Sequence, residues 1–204
     1  MKEFDEFRDM LIDATLLGDD KHLTQLAVQW NGPHKPDINI DYAITCAAME
    51  GHINILQILY TEFGLRAENA RSNGNMAIQL AAKNGHVNVL EILYNTYGLR
   101  PVDARSKNNL ALKGACMNGH VAVLECLMDV YQLGYDDAKT DRAIVLKMAL
   151  QNGHAGIIKC LYYLYGLDED DTDLITDDIL KKADDDGYEN CLKLMHRLFK
   201  VDVI

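Results

Sequence analysis

Hydrophobic positions fall at helical intervals on both sides of a glycine that recurs along the chain. Around Gly85, apolar residues occupy positions 78, 81 and 82 before the glycine and 89, 90, 92, 93 and 97 after it. Spacings of three and four residues place such side chains on one face of a helix. Asn84-Gly85 marks the turn, since glycine takes the left-handed conformation that ends a helix. The pattern predicts two antiparallel amphipathic helices.

The same pattern returns every 34 residues. Gly-His pairs begin at positions 51, 85, 119 and 153, and one further step reaches Gly187-Tyr188. An aromatic residue follows each glycine twelve positions later: Phe63, Tyr97, Tyr131, Tyr165 and Phe199. Gly18 and Trp30 fit the same rule one unit earlier. A fixed period of this length is the signature of a solenoid, so the chain is predicted to be about six stacked helix pairs.

The pattern also predicts the organisation of the domain. We expect a single domain over residues 1–204, with an N-terminal capping repeat at 1–36, internal repeats at 37–172 and a C-terminal capping repeat at 173–204. The first unit carries several charges, and the last has His196 and Arg197 where other units are apolar. Terminal repeats need such a polar outer face because they have one neighbour only.

The linkers between units favour short helices. They read "GLRAENARSNGN" and "GLRPVDARSKNN", in which Pro101 suits a first helical position and Asp103 lies within the following turn. We therefore expect helical turns in the linkers and an all-α fold.

The charge of the chain limits the classes of partner that we expect it to bind. The net charge is −11, and residues 168–187 alone contribute −8, so the remainder is close to neutral. Nucleic acids and anionic membranes are bound through basic faces, so neither is an expected partner.

The five cysteines lie inside apolar helical patterns without metal-type spacing, which is typical of a reducing compartment, and we expect a cytoplasmic protein.

Candidate metal and catalytic residues all have a simpler structural interpretation. The four in-register histidines are predicted to start helices and to bond locally, because stacked helices stand about 10 Å apart while zinc binds its ligands at about 2 Å. The acidic run "DEDDTDLITDD" lacks the glycine and glutamate of an EF-hand. We expect no metal and no cofactor. An unrecognised enzyme with a site around His34, Asp37 and Asp41 is the competing class.

The segment "AIQLAAKNGHVNVLEILYNTYGL" resembles the helical part of an ankyrin repeat, with two alanines, Gly-His and an apolar second helix. The chain departs from the family at the Thr-Pro-Leu-His corner, which reads "MAIQ" and "LALK", and in its linkers, where the family has β-hairpin fingers. The expected fold is therefore an ankyrin-like solenoid whose fingers are largely replaced by short helical turns.

The resemblance implies a non-enzymatic scaffold, expected to be a monomer, that binds a partner protein on its concave surface. Matching the variable positions of the family onto this chain selects the following residues: Ser72, Asn73, Asn75, Lys83, Asn84, Arg105, Ser106, Lys107, Asn109, Met117, Asn118, Asp141, Gln151 and Asn152. Basic residues recur at one register of the linkers, at Arg71, Arg105 and Lys139. They either bind an acidic partner or form ion pairs within their own turns.

The linkers also resemble those of repeats from amoebae, giant viruses and Legionella-type bacteria. That likeness implies a bacterial effector delivered into a host cytosol, where it would act on a host protein. A further alternative is that the chain is a repeat segment of a larger protein whose catalytic domain lies elsewhere.

Overall fold

The structure is a computed structural model that describes residues 2–31 and 40–202, with side chains from residue 5 onward. Within these ranges the chain forms fourteen α-helices, one short 3₁₀ helix and no β-strand. The helices are, in order, α1 (Lys2–Leu17), α2 (Asp20–Trp30), α3 (Tyr42–Glu50), α4 (Ile53–Thr61), α5 (Ala67–Ala70), α6 (Ser72–Lys83), α7 (Val87–Asn95), α8 (Pro101–Ala104), α9 (Ser106–Asn118), α10 (Val121–Asp129), α11 (Tyr135–Gln151), α12 (Ala155–Tyr163), α13 (Asp177–Asp185) and α14 (Glu189–Phe199), with the 3₁₀ helix at Glu169–Asp171.

The helices form six antiparallel pairs that stack in sequence order. The first helices of the pairs pack as one layer, α1 on α3, then α6, α9, α11 and α13. The second helices form the other layer, α2 on α4, then α7, α10, α12 and α14. The predicted all-α solenoid of six helix pairs is confirmed.

Both layers meet in one continuous core. The alanine pair Ala81-Ala82 is fully buried, which allows the backbones of neighbouring first helices to approach closely. The periodic tyrosines are buried as well, and each reaches the previous repeat. Tyr97 Oη donates to the Leu56 carbonyl at 2.7 Å, and Tyr131 Oη donates to the Leu90 carbonyl at 2.8 Å. These bonds satisfy the phenol groups and link adjacent repeats.

The Gly-His pair is a contact between repeats, not a local one. A methyl group on Gly51 would lie 2.7 Å from Nδ1 of His86, which belongs to the next repeat. The same His86 ring bonds through Nε2 to the Met49 carbonyl at 3.0 Å. The expectation that these histidines bond locally is therefore wrong. Glycine is required both for its left-handed φ of 80° and for the space that the next imidazole fills.

The linkers contain the predicted short helices, α5, α8, the first turn of α11 and the 3₁₀ helix. A polar side chain caps each turn: Asp103 Oδ2 accepts from the Arg100 N–H at 2.8 Å, as Asn69 Oδ1 does from Arg66 at 2.7 Å. These side-chain bonds satisfy N–H groups that the start of a helix leaves free, so the turn persists without a β-hairpin partner.

A left-handed turn follows each of three linker turns; it lies inside the bounds given for α6, α9 and α11 and precedes their regular helical part. Residues 73–75, 107–109 and 141–143 all have φ between 48° and 63°, apart from Gly74 at 70°. Three successive left-handed residues are costly for L-amino acids, at about 1–2 kcal/mol each, except for glycine and to a lesser degree asparagine. The runs "NGN" and "KNN" supply such residues, whereas "DRA" at 141–143 does not. These turns were not predicted from the residue pattern.

Candidate protein-binding surface

The exposed side of the first helices carries one apolar residue per internal repeat at the same register. We call these four residues the first-helix stripe: Tyr42, Met76, Leu110 and Ile144. Tyr42 is 50% exposed and Leu110 43%, and the other two are half-buried. Because α3, α6, α9 and α11 pack side by side, the stripe crosses four repeats without interruption.

The stripe ends at the C-terminal cap and changes only in part at the N-terminal cap. Thirty-four residues after Ile144, the last repeat has the exposed Asp178 in place of an apolar residue, and α1 carries the exposed Asp9 and Met10 in the facing part of its helix. Methionine at position 10 is itself 40% exposed, so the change at the N-terminal cap is partial. A polar residue is expected at this position in a capping repeat, whereas the internal repeats have an apolar side chain that is exposed or half-buried.

A shallow groove of ≈ 340 Å³ runs beside the stripe, across α6, α9 and α11. Its apolar wall consists of Met76, Leu80, Leu110, Met117 and Met148. Its polar lining is Gln79, Lys83, Lys107 and Lys113, and Gly114 forms part of the floor. The groove therefore combines three methionines with three lysines and contains no carboxylate.

The lysines of the groove differ in what they bind. Lys107 Nζ donates to the Asn73 carbonyl at 3.0 Å across one repeat. Lys113 pairs with Asp141, and together with Asn108 it holds the pKa of the Asp141 carboxyl below its ordinary value. Lys83 is exposed and forms no ion pair with any residue that the structure describes. The groove thus retains positive charge after the pairs within the protein are counted.

Several residues predicted to contact a partner line this region, and the structure gives each a place. Lys83, Lys107 and Met117 line the groove, with Met117 39% exposed. Exposed residues around it include Asn73, Asn84, Asn118, Asp141, Gln151 and Asn152, and Ser72, Asn75 and Ser106 are half-buried in the linkers. Three of the amides, Asn84, Asn118 and Asn152, donate to backbone carbonyls of first helices.

Asn109 does not lie on the surface, which corrects its assignment to the contact set. The residue is 6% exposed, and its amide donates to the Asp137 carbonyl at 3.2 Å and to Thr140 Oγ1 at 3.0 Å. Its left-handed φ of 58° turns the side chain into the next linker instead of toward solvent. Asn109 therefore links two repeats.

Arg105 also has a structural partner. Its Nε donates to Asp137 Oδ1 at 2.8 Å, and Arg71 Nε likewise donates to Asp103 Oδ1 at 2.9 Å. Lys139 lies 3.3 Å from Asp171 in the following linker. Of the two hypotheses for this row of cations, ion pairing is the one observed, but the acid belongs to the next repeat and not to the same turn. These carboxylates are largely buried and also cap their own short helices.

Sequence reasoning missed the stripe and most of the groove wall. The signal was present in the sequence, because an apolar residue recurs every 34 positions at Tyr42, Met76, Leu110 and Ile144. Packing within the helix pair does not require an apolar residue there. Met148 and Leu80 share a second such register. Their exposure became clear only once the direction of each helix relative to its neighbours was known.

The candidate metal ligands are dispersed over the part of the chain that the structure describes, where no group of three His, Cys, Asp or Glu residues could hold a metal ion. Of the alternative enzyme site, His34 and Asp37 lie outside the described residues, and Asp41 accepts a hydrogen bond from Asn69 Nδ2 at 2.8 Å. All five cysteines are buried and unpaired, and burial raises the pKa of Cys46 to about 11.

Comparison with known proteins identifies the repeat. The family model for ankyrin repeats (three copies) matches residues 11–108. Residues 11–108 belong to the ankyrin repeat family. The ankyrin-like helix pairs continue beyond this segment at the same 34-residue period, through α14. The chain has no significant match among curated protein sequences.

Ankyrin repeats are generally protein–protein interaction modules and are typically not catalytic. In this chain the described helices include none that is both long and apolar enough to cross a membrane.

Proposed function

We propose that this ankyrin-repeat chain is a non-enzymatic scaffold that binds a partner protein along the first-helix stripe and the adjoining groove. The observation that supports the proposal is the uninterrupted apolar stripe of four internal repeats, which ends in the exposed Asp178 of the C-terminal cap. A contiguous exposed apolar patch with a polar rim is typical of a protein-binding site.

The position of the stripe follows from the stacking. Each helix pair buries its apolar faces against its two neighbours, so those faces cannot serve a partner. The outer sides of both helix layers remain exposed, and that of the first helices carries the exposed Leu110 and Met117 on α9. A partner laid across this side would contact several repeats at once.

A narrower proposal concerns the cellular setting. The resemblance of the linkers to those of Legionella-type repeats supports a role as a bacterial effector that acts on a host protein in the host cytosol. A fusion to a translocation reporter, assayed during infection of host cells, tests it. Signal that needs the secretion system supports the proposal, and no signal contradicts it.

The binding proposal is tested by comparing two triple variants in affinity capture from cytosol. The first, Lys83→Glu/Lys107→Glu/Met117→Glu, adds negative charge to the groove. The second, Lys21→Glu/Lys159→Glu/Tyr163→Glu, makes the same change in net charge on the exposed sides of the second helices α2 and α12.

We expect proteins captured by the unmodified chain to be captured equally by the second-helix variant and lost with the groove variant. Circular dichroism and thermal melts of both variants control for folding. Equal capture by both variants would place the binding surface elsewhere, and equal loss would assign the effect to net charge.

A further inference from the structure

We infer that the groove takes an acidic polypeptide segment whose apolar side chains are spaced to match the repeats. The inference rests on the proposed function and goes further, because it names the chemistry of the partner. Three observations carry it: the sign of the charge in the groove, the kind of apolar residues in its wall, and the distance between repeats.

The charge of the groove is opposite to that of the whole chain. The protein has a net charge of −11, yet the groove is lined by Lys83, Lys107 and Lys113 and by no acid. The carboxylate of Asp141 is already paired with one of these lysines, Lys113. A positive groove on a protein of negative net charge attracts carboxylates locally.

The wall of the groove can adapt to the side chains it receives. Met76, Met117 and Met148 are unbranched and polarisable, and such side chains fill irregular gaps against apolar partners. Leu80 and Leu110 complete the apolar wall. The partner segment must therefore present aliphatic or aromatic side chains between its acids, which a nucleic-acid backbone does not offer at this spacing.

The distance between repeats sets the spacing of those side chains. Packed helices stand about 10 Å apart. An extended polyproline II segment, whose side chains return to one face every three residues, covers about 9 Å in three residues, and an α-helix covers the distance in about two turns. The expected segment has an apolar residue at every third position if extended, or at every seventh if helical, with Asp or Glu beside it.

Selection from a phage-displayed library of random peptides, long enough to cross the four internal repeats, tests the inference on the intact chain. We expect enriched peptides to carry more Asp and Glu than the starting library and apolar residues at one of the two spacings. Enrichment of neutral or basic peptides, or no enrichment, would overturn it.

The site of binding is tested with the same peptides. Affinity measured by fluorescence polarisation should fall about tenfold or more for Lys83→Glu/Lys107→Glu, and it should be restored toward the original value for Lys83→Arg/Lys107→Arg. Lys21→Glu/Lys159→Glu on the second helices is the matched control and should bind as the unmodified chain does. Raising NaCl from about 50 to about 500 mM should weaken binding, because exposed ion pairs are screened.

The outcomes separate this inference from the proposed function. If the selected peptides are neutral and the groove variant does not bind them, the inference of an acidic partner is overturned but the proposed binding surface stands. Peptides insensitive to the groove variant would contradict both. Displacement of bound peptide by a single-stranded oligonucleotide would show that the groove recognises charge alone and would also overturn the inference.

Discussion

The contact between Gly51 and His86 predicts an effect that distinguishes packing between repeats from the strain of a left-handed backbone. Replacing Gly51 by alanine puts a Cβ at φ 80°, where the left-handed region costs about 1–2 kcal/mol, and also places it 2.7 Å from the His86 ring. Overpacking of this kind costs about 1–3 kcal/mol more. We expect Gly51→Ala to lower the free energy of unfolding by about 2–5 kcal/mol.

Gly64 provides the matched control. It has a similar φ of 72°, but a Cβ there would meet no atom within 4 Å. Gly64→Ala should therefore show only the backbone strain, about 1–2 kcal/mol. The difference between the two variants isolates the contact with the next repeat.

Urea denaturation followed by circular dichroism measures both variants, and a third variant, His86→Ala, completes the test. In that background the imidazole is absent, so Gly51→Ala should cost no more than Gly64→Ala does. Equal destabilisation by Gly51→Ala and Gly64→Ala would contradict a contact between residue 51 and the His86 imidazole. So would a loss of unfolding free energy for Gly51→Ala that is the same with and without that imidazole.

Three further predictions follow from the same structure. Tyr131→Phe removes the hydroxyl that donates to the Leu90 carbonyl and should lower the free energy of unfolding in urea by about 0.5–1.5 kcal/mol. Tyr163→Phe, at a side chain that is 63% exposed, should have no measurable effect, and equal effects of the two changes would contradict the buried bond. Burial raises the pKa of the three periodic tyrosines above that of the unfolded chain, so their contribution to stability is fully present below pH 10 and should fall above it by about 1.4 kcal/mol per tyrosine per pH unit. Thermal melts across this range, with absorbance at the tyrosinate band, check this loss, and a stability that stays constant above pH 10 would contradict it. Asn108→Gly should be more stable than Asn108→Ala by about 1–2 kcal/mol in thermal or urea unfolding, because both lose the same side chain while only alanine is strained at φ 59°; an alanine variant as stable as the glycine variant would argue against a left-handed turn.

The architecture could be predicted because periodicity is a property of sequence. The 34-residue step gave the number of helix pairs, and the position of Pro101 and the capping residue Asp103 gave the helical linkers. The period is read by comparing repeats along the sequence, and the linker helices rest on local preferences within one repeat, so neither depends on knowing the contacts between stacked repeats. The structure confirmed them for this reason.

The contacts between repeats could not be predicted in the same way. A period shows that His52 and His86 are equivalent, but it does not show which part of the previous repeat each one faces. The imidazole bonds to a carbonyl 36 or 37 residues earlier, and Arg71 pairs with an acid 32 residues later. These distances depend on the offset between stacked units, which sequence spacing leaves undetermined.

The left-handed turns explain why part of the predicted contact set was wrong. A helical or extended linker would have left Asn109 exposed, whereas three left-handed residues in succession direct its amide into the next linker. The Asn-rich runs were a usable signal, because asparagine tolerates this conformation better than most residues. In the third turn, at 141–143, only Asp141 is of a type that tolerates this conformation, so its composition indicates the same geometry less strongly.

The proposal of a binding surface on the first helices is tested most directly by photo-cross-linking. A benzophenone side chain is placed at Leu110 in the stripe or, as a control, at Tyr163 on α12, and each chain is irradiated with its captured partner. We expect a covalent adduct from position 110 and none from position 163. Adducts from position 163 alone would contradict it.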